Sequence, residues 1–317
     1  MSRKLAVRAV CTVLVWVALS AHAGDDVNPL GIAWKTTENV ELFGKPTGML
    51  VAGRCNVDDP KFAAARAKGA EVLLYLNPVE RPDKRVCAQD EKFYMKDRTR
   101  VPLWPTPTYG KRTNWHDTRL TDIRPGSEWI DYVVKYVETL MREHKVDGVF
   151  LDLVGGQLWS NLADWKSWSR SEQDAWTDGN IELVKRLDAK RRDIDPSFII
   201  VNNNVWHRDG DQRAEAGERY VDGVVLEHPK LSSAWHKSYA GRTFGDLGHR
   251  RVLVIANNTA DAVQWSKVRG VTHVSDQPTA QYAHPNEPAV GFHPLHDRSE
   301  NGDEGAPEDD EEEGGGD

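Results

Sequence analysis

Asp152 and Glu227 close two near-copies of one phrase, VDGVFLD at 146–152 and VDGVVLE at 221–227. Each copy is an acid-glycine pair, a short apolar run and a terminal acid. A short continuous apolar run bounded by turn residues reads as a strand buried on both faces, so the two terminal acids leave their strands at the same end. Two carboxyl groups facing one cavity are the equipment for breaking an acetal. One holds a proton for the leaving oxygen while the other stays ionised to attack or stabilise the anomeric carbon. Unequal surroundings separate the two pKa values and with them the two roles. Asp147 and Asp222, at the opposite end of each run, read as structural turn residues. Asp152 and Glu227 have a structural alternative as caps of the next helix. Against it, Glu is a poorer cap than Asp, and Glu227 is followed by His228 and Pro229 rather than by a helical run.

The elements that must position these acids recur along the chain. Apolar runs at 48–52, 71–76, 119–123, 148–151, 198–201, 223–226, 252–256 and 271–274 are the expected strands. Helical periodicity fills the gaps, best at 127–144, where Ile130, Val133, Val134, Val137, Leu140 and Met141 form one apolar stripe. A second helix is expected over 171–194, and shorter ones over 60–68, 212–220 and 260–268. Strands alternating with helices call for a parallel sheet, and eight such units fit a single-domain (β/α)8 TIM barrel. The rival is an open doubly wound sheet. No G-x-G-x-x-G or G-x-x-x-x-G-K-[ST] loop follows the first run, which counts against it.

In a barrel the residues just past each strand gather at one mouth. In chain order that ring is Arg54, Asn77, Asp122, Asp152, Asn203, Glu227, Asn257 and Asp276, polar at every position. Asp152 and Glu227 are the expected catalytic pair. Asn77, Asp122, Asn203, Asn257, Asp276 and His228 are candidate substrate ligands, though an Asn at a strand end serves equally to satisfy backbone groups. Trp104, Tyr109, Trp115, Trp159, Trp206 and Trp235 fall in mouth-side segments, and Trp159 and Trp206 are the chosen sugar-stacking candidates. Packing of long loops onto the barrel is the alternative for each. Trp129, Trp176 and Trp265 sit on helices and read as core. No metal is expected, because no H-x-x-x-H, C-x-x-C or carboxylate triplet has ligand spacing. No cofactor is expected either, and the absence of G-x-S-x-G speaks against a serine hydrolase.

Three parts are expected: a signal peptide over 1–23, a barrel domain over 24–298 and a disordered acidic tail over 299–317. In the first, Arg3, Lys4 and Arg8 precede an apolar stretch and the small-residue site Ala21-His22-Ala23, the pattern of a secretory leader cleaved near Ala23. The stretch is shorter than the ~20 residues of a membrane span, so a stable anchor is not expected and the product is periplasmic or extracellular. The tail carries ten acidic and no basic residues, a solvated composition. Removing those ten negatives and the leader's three positives takes the net charge from -8 to -1, so no basic face for nucleic acid is expected. In an exported chain Cys55 and Cys87 are expected to pair as a disulfide. Composition says nothing about oligomeric state.

Four segments together resemble the secreted barrel hydrolases related to the endo-α-1,4-polygalactosaminidases: LTDIRPGSEWIDYV at 120–133, VDGVFLDLV at 146–154, VDGVVLEH at 221–228 and VTHVSDQP at 271–278. The resemblance covers about 30–282. It implies a cofactor-independent glycoside hydrolase acting on an α-linked, amino-sugar-containing polysaccharide or oligosaccharide, with Asp152 as nucleophile, Glu227 as general acid/base and a retaining outcome. Reversed roles for the pair are compatible with it. It also implies that Asp122 orients substrate or caps the following helix. The cysteine-bearing segment 79–118 has no counterpart in the resemblance. Two other readings compete: a catalytically silent carbohydrate-binding barrel of exopolysaccharide assembly, and a metal-dependent sugar deacetylase.

Overall fold

The computed structural model describes residues 27–33, 40, 48–82, 93–94, 98–105, 118–158, 165–208, 211–246 and 251–275. The leader, the acidic tail, Cys87, Trp159 and Asp276 lie outside the described residues. What is expected of them, the Cys55 to Cys87 pairing included, rests on the sequence.

Eight parallel strands close into a barrel: β1 (Asn28–Ala33), β2 (Met49–Ala52), β3 (Glu71–Leu76), β4 (Gly148–Asp152), β5 (Ile199–Asn203), β6 (Gly223–Glu227), β7 (Arg251–Ile255) and β8 (Val271–Ser275). Each strand pairs with the next in the chain, and β8 returns to β1 through Asn28↔His273 and Pro29↔Val274. Helices α1 (Pro60–Ala67), α2 (Glu128–Glu143), α3 (Arg170–Ile194), α4 (Ala234–Asp246) and α5 (Thr259–Trp265) fill the connections. The (β/α)8 expectation holds, with one strand exchanged for another. The run at 119–123 is not a barrel strand: Thr118–Leu120 pairs antiparallel with Glu80–Pro82 in a two-stranded ribbon on the segment beyond β3. The eighth barrel strand is β1, whose sequence NPLGIA carries a proline and a glycine that hide its apolar character. Asp122 therefore leaves the ring of strand ends.

The caps explain the helix boundaries. Ser127 accepts the Ile130 N–H at the start of α2, and His144, in the left-handed region at φ 51, ends it. The inward stripe of α2, Trp129, Ile130, Val133, Val134, Val137 and Met141, is buried, each large side chain contributing roughly 1.5–3 kcal/mol over exposure. Ser169 and Glu172 form a reciprocal capping box on α3, one residue earlier than the periodicity suggests. Among the described residues no helix is long and apolar enough to cross a membrane.

The first half of the repeated phrase builds the barrel floor. Asp147 accepts the Val72 N–H of β3 at 2.8 Å and a pair of bonds from Arg66 of α1. Asp222 accepts the Ile200 N–H of β5 at 2.8 Å and pairs with Arg191 of α3. Each aspartate thus ties one strand to its preceding neighbour and to an outer helix. The glycine that follows each aspartate lets the next strand approach closely. A Cβ on Gly148 would stand 2.1 Å from the Ile199 carbonyl oxygen, while one on Gly223 would stand 3.0 Å from the Arg251 carbonyl oxygen. Across the floor, Arg251 of β7 binds both carboxylate oxygens of Glu71 of β3.

These two distances separate otherwise matched glycines. Gly148→Ala is expected to lower the thermal midpoint severely or prevent folding, whereas Gly223→Ala lowers it only by a few degrees. Thermal denaturation followed by circular dichroism checks the order, and equal losses would contradict it.

Candidate active site

Strand register brings the second half of each phrase together. Asp152 of β4 is directly opposite Asn203 of β5, and Asn203 is opposite Val225 of β6, two positions before Glu227. Tyr75 of β3 is opposite Phe150, two positions before Asp152. Side chains two apart on a strand share a face, so Tyr75, Asp152, Asn203 and Glu227 share one face of the sheet at the end of four consecutive strands.

One amide nitrogen joins the acids. Asn203 Nδ2 donates to Asp152 Oδ1 at 2.9 Å and to Glu227 Oε2 at 2.6 Å, one hydrogen for each. Those two oxygens are therefore no more than about 5.5 Å apart, the length of the two bonds laid end to end. The Tyr75 hydroxyl donates to the other oxygen of Asp152, and the Leu153 backbone N–H also favours the ionised form. Arg54 lies over the Tyr75 ring at 5.8 Å and over Phe93 and Tyr94 at 5.1 and 5.2 Å. Glu227 keeps 22% of its side-chain surface open to solvent, so the pair is sheltered yet reachable.

Shelter and proximity set the electrostatics. Burial, followed by the charge of Glu227, pushes the Asp152 carboxyl up to about 7 against the opposing bonds from Tyr75 and Asn203. Burial also raises Glu227, opposed by the Asn203 bond. Two unit charges about 5 Å apart at an effective dielectric near 20 repel by roughly 3 kcal/mol, so the pair holds one proton until near neutrality. Burial, then Asp152, raises the Tyr75 hydroxyl well above its ordinary value, and it stays a donor.

The residue after each acid is strained in the same way. Leu153 and His228 sit at φ 63 and φ 50; the only other non-glycine at positive φ among the described residues is the helix cap His144. Their N–H groups continue the ladder, Leu153 to the Asn203 carbonyl at 3.0 Å and His228 to the Ile255 carbonyl at 2.7 Å. A left-handed side-chain-bearing residue costs on the order of 1 kcal/mol, and such strain concentrates at functional sites. His228 Nε2 stands 3.6 Å from Glu227 Oε1, beyond hydrogen-bond range, and burial holds its imidazole below the ordinary histidine value.

Other expected ligands have partners of their own. Asn77 is a buried turn residue whose oxygen accepts the Val79 and Glu80 N–H groups and whose amide binds Glu80. Asp122 accepts from the Arg124 backbone N–H and side chain; it neither ends a barrel strand nor caps α2, where Ser127 is the cap. Asn257 reaches Asp261 in the first turn of α5 at 3.4 Å. Trp206 is fully buried with its indole N–H on Asn202, so it packs the β5 loop and offers no face to a sugar. Trp129, Trp176 and Trp265 are core, as expected. Tyr75 is the residue that sequence reasoning missed. Its signal was a phenol one position before the end of a run otherwise made of aliphatic residues.

No family model matches the chain, and no curated protein matches it significantly. Among solved structures it is similar to the glycoside hydrolase domain of PelA from Pseudomonas aeruginosa, at 10% identity and a TM-score of 0.53, over 78% of this chain and 94% of that one. Ega3 of Aspergillus fumigatus, solved in complex with galactosamine, aligns over 74% of this chain and 77% of its own at 12% identity and a TM-score of 0.44. At such identities the likeness to the PelA glycoside hydrolase domain is one of fold, the closed parallel barrel seen here.

The raised carboxyls make stability pH-dependent with a definite sign. As pH climbs from the ordinary carboxylate value of 3.8 to about 7, the unfolded chain gives up the Asp152 proton first, so the folded state loses relative stability across that window. Glu227→Gln removes the charge that Asp152 feels. It is expected to raise the thermal midpoint by a few degrees at pH 8 and to give no such gain at pH 4. A shift equal at both values would contradict the coupling.

Proposed function

We propose that the chain is an exported, retaining glycoside hydrolase that cleaves an α-linked polysaccharide, with amino-sugar polymers the first substrates to test. The observation that carries this reading is the single Asn203 amide bonded to both carboxylates, which holds their nearest oxygens within about 5.5 Å. Retaining enzymes need carboxyl groups roughly 5–5.5 Å apart, whereas inverting ones leave about 6.5–9.5 Å for a water. The glycoside hydrolase fold of the PelA domain and the secretory pattern of residues 1–23 agree with it.

The donor count assigns the roles. Asp152 receives the Tyr75 hydroxyl and the Asn203 amide, two donors that favour a carboxylate. Glu227 receives the Asn203 bond, and in the reactive form of the pair it carries the shared proton while Asp152 is ionised. In the first step an Asp152 oxygen attacks the anomeric carbon as the glycosidic C–O bond breaks, and Glu227 gives its proton to the departing oxygen. In the second, ionised Glu227 takes a proton from water, the water oxygen attacks the same carbon, and the bond to Asp152 breaks. Asn203 Oδ1 is buried with no hydrogen-bond partner among the described residues. Turning the amide over would aim that oxygen at two carboxylates, so the amide is fixed with its nitrogen toward the pair.

Purified mature protein should release reducing ends from an α-linked polymer, and Asp152→Asn and Glu227→Gln should each reduce the rate by about 10³-fold or more. An active double variant would end the reading. Glycan binding without any release would leave a silent carbohydrate-binding barrel.

Tyr75→Phe has a two-part signature. The nucleophile loses a positioning donor, so kcat falls by about 10–100-fold. The carboxylate loses a stabilising bond, so the acidic limb of kcat/KM, which reports ionisation of the nucleophile, moves upward. An unchanged limb would show that the Tyr75 bond does not act on the titrating pair.

A further inference from the structure

We infer that Trp235 is the floor of a second sugar-binding subsite, on the leaving-group side of the bond cleaved between Asp152 and Glu227. The inference rests on the hydrolase reading and specifies where the rest of the polymer lies. Of the five described tryptophans on mouth-side segments, Trp104, Trp165, Trp168 and Trp206 are buried, and Trp235 is 40% exposed. It is the second residue of α4 and follows Glu227 by eight positions, while His207, whose ring lies 5.3 Å from its own, follows Asn203 by four. The two rings therefore bridge the loops that leave the proton donor and the bridging amide, at the end of the barrel where the pocket opens.

A single exposed hydrophobic side chain is ordinary; what distinguishes Trp235 is the support beneath it. Tyr239 stacks under the indole at 5.2 Å and an interplanar angle of 22°. Tyr239 is buried, and its hydroxyl donates to Glu218 Oε1 at 2.8 Å and accepts the Trp206 backbone N–H at 3.2 Å. Arg242 covers the Tyr239 ring at 5.1 Å and pairs with Glu218 at 3.2 Å. Glu218 is 3% exposed, and burying a carboxylate is costly unless it is paired and bonded. The outcome of that expense is an indole held from below by Tyr239, edged by His207 and His236, and partly open to solvent. A preordered aromatic face loses little entropy when a pyranose ring settles on it, and sugars present the apolar C–H faces that such a platform fits.

The side of the cut follows from the loop. Glu227 protonates the oxygen that departs, so the departing sugars lie against the segment that begins at Glu227 and runs through His228 into α4. Trp235 stands on that segment. A polymer cut in the pocket has to continue past it, whereas a small aryl leaving group does not reach it.

The test compares substrates of different length. For Trp235→Ala, KM on α-1,4-linked polygalactosamine or amylose, whichever the wild type cleaves, should rise about tenfold, with kcat within about twofold. Hydrolysis of the matching aryl glycoside should be unchanged, and Trp235→Phe should recover most of the polymer affinity. Equal losses on polymer and aryl glycoside, or no loss on either, would overturn the inference. Binding of the same two polymers, measured by affinity electrophoresis, separates this idea from the hydrolase reading. Retarded migration of an inactive wild type, lost in Trp235→Ala, keeps the platform and ends the chemistry. Retention of binding in Trp235→Ala, or no binding by the wild type, ends the platform.

Discussion

Two like-charged side chains in one sheltered pocket repel each other, and the Asn203 amide offsets that repulsion by giving one hydrogen to each. Everything else in the fold serves to keep those three groups in place. Consecutive strands β4, β5 and β6 must hold register so that Asp152 is opposite Asn203 and Glu227 falls on the same face. The register is fastened at the far end of the barrel, where Asp147 and Asp222 bind the backbone of β3 and β5 and helix arginines hold both aspartates. The repeated phrase is one tie and one working acid, written twice.

The pocket is built at the expense of stability. Burial raises both carboxyls, the charge of Glu227 raises Asp152 further, and the residue after each acid is held in a conformation that side-chain-bearing residues disfavour. Natural proteins concentrate such departures at working sites. The strain has a use here: the left-handed turn lets each backbone N–H stay in the ladder while the chain swings away, leaving the preceding acid at the rim. The pair retains its shared proton into the neutral range because desolvation outweighs the donors around it.

How much of this was legible depended on the kind of signal. Buried parallel strands appear as uninterrupted apolar runs, so β2 to β8 were readable, and the ordinal places of the two acids, on strands four and six, came out right. β1 was not, because Pro29 and Gly31 interrupt its run, and Thr118–Leu120 took its place because a short strand outside the barrel also mixes apolar and β-branched residues. The pairing of Asp152 with Glu227 was readable from the repeat. The identity of the third member was only half readable, since Asn202, Asn203 and Asn204 look alike in sequence. Only the period of two along β5 aims Asn203 at the acids and its neighbours at Trp206 and the β4 loop. Tyr75 and the burial of Trp206 depend on contacts between segments far apart in the chain, which no local pattern records.

Trapping the covalent intermediate decides between a working pair and an inert one. Wild-type protein is incubated with an activated fluoroglycoside of the sugar that a reducing-end screen selects, then digested and mapped by mass spectrometry. The mechanism requires one glycosyl unit attached to the peptide containing Asp152, with none in Asp152→Asn. An adduct on another residue, or none from a substrate that is demonstrably turned over, would contradict it.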